Sequence, residues 1–223
     1  MSTSDLSSSA QDYLKAIWNL QEWSDSPVTA SVISERVGLK LSSVSDAVRR
    51  LTEQGLLEHA PYGRVELTAA GRAHAVAMVR RHRLIETFLV QTLAYSWHEV
   101  HDEAERLEHA VSDLMVDRID ELLGHPTRDP HGDPIPSPDG TTHRPEAIPL
   151  VAVVPGASVR VARISDSDPE LLKYFAAEGV VMDAELDIIP GDPYSGAIVV
   201  RVAGRPNSIT LGAAAASAVW VSR

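Results

Sequence analysis

The chain contains no cysteine, and that absence removes a disulfide framework, a thiolate zinc site and a thiol nucleophile. No apolar run approaches the ~18 residues of a membrane-spanning helix. Met1 to Ser9 is polar and lacks the basic-plus-apolar character of an export signal. On these grounds we expect a cytoplasmic protein with no membrane partner. Positive charge is also short: 20 Lys plus Arg face 31 Asp plus Glu, a net charge of −11, which on its face speaks against a nucleic-acid partner. What is present is ordinary for a globular chain. At 223 residues, 44% of them apolar and 23% charged, it is long enough for one large domain or two small ones and is neither collagenous nor wholly disordered.

The acidity is unevenly spread. Residues 1–80 carry 8 basic and 9 acidic side chains, residues 81–148 carry 6 and 14, and residues 149–223 carry 6 and 8. Most of the excess therefore sits in the middle third, and the N-terminal third is close to neutral.

The pattern predicts an α+β chain in four parts: 1–73, a helical segment over 74–124, a proline-rich linker over 125–149, and a small β-barrel over 150–223. Ser9-Ala-Gln-Asp12 reads as a capping box, followed by the apolar stripe Tyr13, Leu14, Ile17, Trp18 and Leu20. Ala30–Val37, a Gly38-Leu39-Lys40 turn and Ser42–Gln54 form a helix-turn-helix. Leu56–His59 and Arg64–Leu67 read as a hairpin around Ala60-Pro61-Tyr62-Gly63, which makes the first part a winged helix. Thr68 opens a long helix through Val90. A further helix runs from about Val100 to Leu123, with Leu107, Val111, Leu114 and Met115 on the flank expected to face the core. Residues 124–149 hold 7 of the 14 prolines. Short strands follow at Ser158–Ile164, Glu185–Ile189, Ile198–Val202, Ser208–Leu211 and Ala218–Val221, with one helix over Asp168–Gly179.

In a winged helix the second helix of the pair enters the major groove with its N-terminal residues toward base edges. Here those are Ser42, Ser43, Ser45 and Asp46: small donors, plus an acid able to accept from a cytosine amine. Lys40, Arg49, Arg50 and Arg64 are candidates for phosphate contacts. The same three-helix unit also serves as a protein-interaction module.

The stretch His98 to His109 is dense in potential ligands. At 100° per residue, His101, Glu105, Glu108 and His109 share a helical sector about 100° wide. His82 and Glu86 form a second pair at i and i+4. Oxygen and nitrogen donors without sulfur suit Mn²⁺ or Fe²⁺. The same spacing also fits a solvated face in which Glu105 and His109 simply pair. No His-Glu-x-x-His occurs, and a metal-dependent hydrolase would also need an open coordination site and a placed base, so no enzyme is expected. His59, His74, His98, His125, His131 and His143 show no such pattern and read as surface or linker residues.

Taken together, the winged helix, His82…Glu86, His101-Asp-Glu-Ala-Glu105-Arg-Leu-Glu108-His109, Asp129-Pro-His-Gly-Asp-Pro-Ile-Pro136 and a terminal barrel are a specific combination. It resembles the diphtheria toxin repressor family of metal-dependent transcription regulators, in its three-domain form, over nearly the whole chain. The resemblance implies a winged-helix DNA-binding domain, an all-α metal-binding and dimerisation domain, and an SH3-like domain shared with ferrous-iron-transport accessory proteins. It implies a homodimer that binds palindromic double-stranded operator DNA and represses metal-uptake and homeostasis genes, with a divalent metal ion as co-repressor. Asp12-Tyr-Leu matches the first-helix position that supplies a ligand, so Asp12, Glu105, Glu108 and His109 are implied for the primary site. His82, Glu86 and His101 are implied for an ancillary site, with Asp168 and Glu170 as candidate donors from the barrel. Iron-responsive members typically carry methionine and cysteine where this chain has Asp12 and Glu105. Manganese-responsive members carry acids, which points to Mn(II), with Fe(II) or Co(II) as alternatives. Lys15 sits where some manganese-responsive members have a second first-helix carboxylate, which argues against a closely spaced binuclear cluster. The competing expectations are an iron(II)-responsive repressor of the same family and a winged-helix regulator not controlled by metal.

Overall fold

The structure is a computed structural model that describes residues 6–60, 63–192 and 196–223. Pro61 and Tyr62 of the expected hairpin tip lie outside the described residues. The chain falls into two compact units. Met1–His82, Glu108–Arg118 and Pro136–Thr142 form the first, and Arg83–Leu107, Ile119–Ile135 and His143–Arg223 the second.

In the first unit Ser7, and not the expected Ser9/Asp12 box, caps helix α1 (Ser8–Glu22), its hydroxyl accepting from the Ala10 amide. Asp12 is thereby left out of the capping. Thr29 caps α2 (Ala30–Val37), and Gly38 ends it at φ +67°, a left-handed conformation that glycine adopts without penalty. Helix α3 (Leu41–Glu53) buries Val44, Ala47, Val48 and Leu51 against Leu14, Ile17 and Trp18 of α1. The wing pairs β1 (Leu57–Ala60) antiparallel to β2 (Arg64–Leu67), and the Val65 amide donates to the Val28 carbonyl, tying the wing to the segment ahead of α2.

The Thr68 hydroxyl accepts from the Gly71 amide at the start of α4 (Ala69–Leu93). A Cβ at Gly71 would lie 1.9 Å from the Leu56 carbonyl oxygen, so only glycine permits this approach of helix to wing.

The expected single helix over 100–123 is two: α5 (Val100–Leu107) and α6 (Asp113–Leu122). Ser112 restarts the helix by accepting from the Met115 amide. Arg81 holds the break open, donating to the carbonyls of Glu108 at 3.2 Å and Val111 at 2.5 Å and to the Asp113 carboxylate. The break rotates the face: Val100, Ala104, Val116 and Ile119 are buried, while Leu114 and Met115, expected in the core, are exposed.

The second unit carries the strands: β3 (Ile148–Pro149), β4 (Ser158–Ile164), β5 (Glu185–Ile189), β6 (Ile198–Val202), β7 (Ser208–Leu211) and β8 (Val219–Ser222). They form one antiparallel sheet in the order β3-β8-β4-β5-β6-β7. Val159, Val161, Leu186, Val200 and Val221 point to a core closed by Leu172 and Phe175 of α7 (Pro169–Glu178). A short helix, α8 (Ala213–Ser217), precedes the last strand.

The proline-rich stretch is no open linker, because residues 131–136 are buried. Asp129 Oδ1 accepts from the amides of His131 at 2.8 Å and Asp133 at 2.9 Å, closing a tight turn, and the Ile164 amide of β4 donates to the His131 carbonyl. Gly132 stands at φ +92° with Ala162 O only 2.3 Å from where a Cβ would be. Arg163 donates to Asp133 at 2.6 Å and covers the Trp220 ring.

Candidate metal centre and nucleic-acid interface

The first unit gathers Asp12, Glu108 and His109, whose ligand atoms lie within 4.8 Å of one another. His109 Nε2 is 2.8 Å from Asp12 Oδ1 and 3.5 Å from Glu108 Oε1, while its Nδ1 is 2.8 Å from Gln11 Oε1. Glu108 is fully buried, with Lys15 Nζ 2.5 Å from Oε1 and His82 Nδ1 2.5 Å from Oε2. Burial pushes the Glu108 carboxyl up, but His82 and Lys15 outweigh it and hold the group below its ordinary range. Burial raises Asp12, against the pull of His109 and Lys15.

The second unit holds another cluster, of Glu86, Asp129 and His131, all buried and within 4.8 Å. Glu86 Oε1 is 3.2 Å from His101 Nδ1, and Asp166 Oδ2 is 3.1 Å from the same nitrogen. Glu105 lies on α5 one turn after His101, 3.7 Å from its Nε2. His131 stacks on Trp97 and directs Nε2 to the Trp97 carbonyl at 2.7 Å. That leaves Nδ1 buried with no hydrogen-bond partner, 3.7 Å from Glu86 Oε2. Burial opposes the charged imidazole, but Asp166 and Glu86 push His101 up to about 10, and Glu86 and Asp129 do the same for His131. Burial, then Asp133 and Glu86, raises Asp129, while His101 draws Asp166 well below the carboxylate range.

A buried imidazole nitrogen without a hydrogen-bond partner, 3.7 Å from a buried carboxylate, among oxygen donors and without sulfur, fits a divalent cation of intermediate hardness. Of the residues named from the sequence, Asp12, Glu108, His109 and His82 converge in the first unit. Glu86 and His101 converge in the second, and Glu105 is 3.7 Å from His101 Nε2.

Asp168 and Glu170, the expected barrel donors, are in neither of these groups. Asp168 is the N-cap of α7, its carboxylate committed to the amides of Glu170 and Leu171. Asp166, two residues earlier, takes the position facing His101. His131 and Asp129 were missed as well. Their signal was the Asp129-Pro-His131 spacing, an acid and an imidazole two residues apart in a turn, which composition alone marks as linker.

On the reading head, Lys40, Ser42, Ser43, Ser45, Asp46, Arg49 and Arg50 are all exposed along the start and outer face of α3. Arg49 lies 3.7 Å from Asp46 and 3.3 Å from Glu53, and Arg64, exposed on β2, lies 3.4 Å from Glu66.

A winged helix whose first helix carries one member of a carboxylate–imidazole cluster defines the class: a metal-responsive DNA-binding regulator. Known proteins agree with that class. The family model described as iron dependent repressor, N-terminal DNA binding domain, matches residues 5–65, and its metal binding and dimerisation domain matches 68–137. A FeoA domain matches 148–223. The iron-dependent repressor IdeR of Mycobacterium leprae is 33% identical over 98% of this chain and 99% of its own length. The diphtheria toxin repressor of Corynebacterium efficiens is 34% identical over 83% of this chain and 84% of its own. Among solved structures, a manganese-dependent transcriptional repressor in complex with manganese is 51% identical, with a TM-score of 0.90 over 95% of this chain and 98% of that one. The manganese regulator SloR is 32% identical, with a TM-score of 0.81 over 96% of this chain and 98% of that one. The chain belongs to the diphtheria toxin repressor family of metal-dependent transcriptional repressors.

Proposed function

We propose that this protein is a manganese-responsive repressor of metal-uptake and homeostasis genes, working in the cytoplasm as a homodimer on palindromic operator DNA. The observation that carries the reading is the placement of Asp12. It stands on α1, whose buried face packs in one core with α3, so a tie between Asp12, Glu108 and His109 bears directly on the reading helix. A bound divalent cation would supply the charge that Asp12 and Glu108 need to approach one another. Glu108 anchors the cluster from a dry position, His109 bridges toward Asp12, and His82 orients Glu108. Glu86, Asp129, His131 and Asp166, with His101 beside them, would hold a second ion.

Manganese over iron is supported by the all-oxygen-and-nitrogen donor set and by the manganese in the 51%-identical repressor structure. Dimerisation is supported by the exposure of Leu114 at 66% and Met115 at 48% on α6, within the segment that matches a dimerisation domain. Ser42, Ser43, Ser45 and Asp46 face base edges, and Lys40, Arg49, Arg50 and Arg64 face phosphates.

The test is fluorescence anisotropy of a labelled promoter fragment titrated with protein in Mn²⁺, Fe²⁺, Co²⁺, Zn²⁺ or chelator. Binding that rises in Mn²⁺ is expected, and operator DNA should tighten Mn²⁺ binding by the same factor. Equal binding in chelator and Mn²⁺ would refute metal control, and preference for Fe²⁺ would favour the iron-responsive reading.

A further inference from the structure

We propose that Lys15 is a tethered cation that competes with the metal ion for Glu108 and so sets the metal concentration at which the first cluster loads; this rests on the metal-responsive reading above. Lys15 stands on α1, three residues after Asp12, and its side chain is only 7% exposed. Its ammonium lies 2.5 Å from Glu108 Oε1, and His82 takes Oε2 at 2.5 Å, so both oxygens of a fully buried carboxylate are engaged. A cation entering among Asp12, Glu108 and His109 reaches Oε1 by displacing that ammonium.

The exchange is sterically simple, because a lysine head rides on a flexible four-carbon stem. It also explains how a buried Glu108 stays charged without metal, since an unpaired buried carboxylate is costly. The helix that brings the ligand Asp12 thus brings its competitor. Loading replaces one cation by another and does not fill a bare anionic hole. Two signs follow. A positive charge a few ångströms from the ion weakens its binding. Removing that charge leaves Glu108 compensated by His82 without the ammonium and strengthens binding further.

The test compares wild type, Lys15→Met and Lys15→Arg as full-length protein, each carrying His131→Ala so that the first cluster is read alone. Bound Mn²⁺ is measured from the free-ion EPR signal, and melting temperature is followed with and without Mn²⁺. Lys15→Met should bind Mn²⁺ about tenfold more tightly or better, with a larger Mn²⁺-induced rise in Tm, and Lys15→Arg should stay near wild type. An unchanged Kd in folded Lys15→Met, with Tm lowered equally in both conditions, would show a mere structural pin and overturn the proposal. If Lys15→Met fails to fold, Lys15→Gln reads the same Kd. If neither wild type nor variant binds Mn²⁺, the metal-responsive reading falls and this proposal with it. Equal binding by both removes this proposal alone.

Discussion

The two carboxylate–imidazole clusters use the same residue types but carry their balancing charge in different ways. In the first, the counter-charge is covalently tethered: Lys15 sits on Glu108, and Asp12 remains 45% exposed at the open side. In the second, two imidazoles share the task with a guanidinium: Glu86, Asp166 and Asp129 push His101 and His131 up to about 10, and Arg83 lies 3.8 Å from Asp129. Glu86 and His131 there are 1% and 0% exposed. A divalent ion binds neutral imidazoles. On the proposed reading, loading the second cluster would release the imidazole protons, whereas loading the first would move an ammonium aside.

The sharpest way to break this comparison is Glu86→Gln. Glu86 faces both His101 and His131, so its loss should weaken Mn²⁺ binding at the second cluster about 100-fold or more. The first cluster should keep its affinity, giving one surviving step in a two-step titration, and equal loss of both steps would show that the clusters are not separate.

Next in size is the pH response. The folded pKa values of His101 and His131, about 10, lie above the ordinary value of about 6.5. Their contribution to metal-free stability is complete below pH ~6.5 and is lost as pH rises through about 10. The urea midpoint of metal-free protein should fall over that window, and Mn²⁺ binding at neutral pH should release up to two protons, measurable by calorimetry in buffers of different ionisation enthalpy. A third, smaller effect separates ligand from cap: Asp12→Ala should weaken Mn²⁺ binding at the first cluster about tenfold while leaving the metal-free Tm nearly unchanged, because Ser7 does the capping. A large loss of Tm without Mn²⁺ would return Asp12 to a structural role. The smallest change is Asp168→Ala, which should cost about 1 kcal/mol of stability in urea and leave both Mn²⁺ affinities intact.

Much of the fold was legible before any coordinates. The helix-turn-helix, the strands from Ser158 to Leu211 and the helix between Asp168 and Gly179 lie within a residue or so of their expected bounds. Each is marked locally, by apolar period, a capping side chain or a glycine. The helix over 100–123 misled because its period runs on through Glu108, whereas Arg81, 27 residues away from it, claims the carbonyls at the break. The segment 125–149 misled because proline content marks extended backbone and says nothing of burial.

The site divides the same way. By itself the sequence determined the donor types on offer: no cysteine, and carboxylates at positions 12, 105 and 108. It also determined the exposed face of α3, on which Ser42, Ser43, Ser45 and Asp46 lie. Only the tertiary structure decided which donors meet. Asp129 closes a turn on its own amides and so presents His131; Asp168 is spent on a cap, so Asp166 faces His101; and Lys15 folds inward onto Glu108. Convergence of side chains across tens of residues depends on packing that no local period encodes, whereas element type and ligand hardness are properties of neighbouring residues and of atoms.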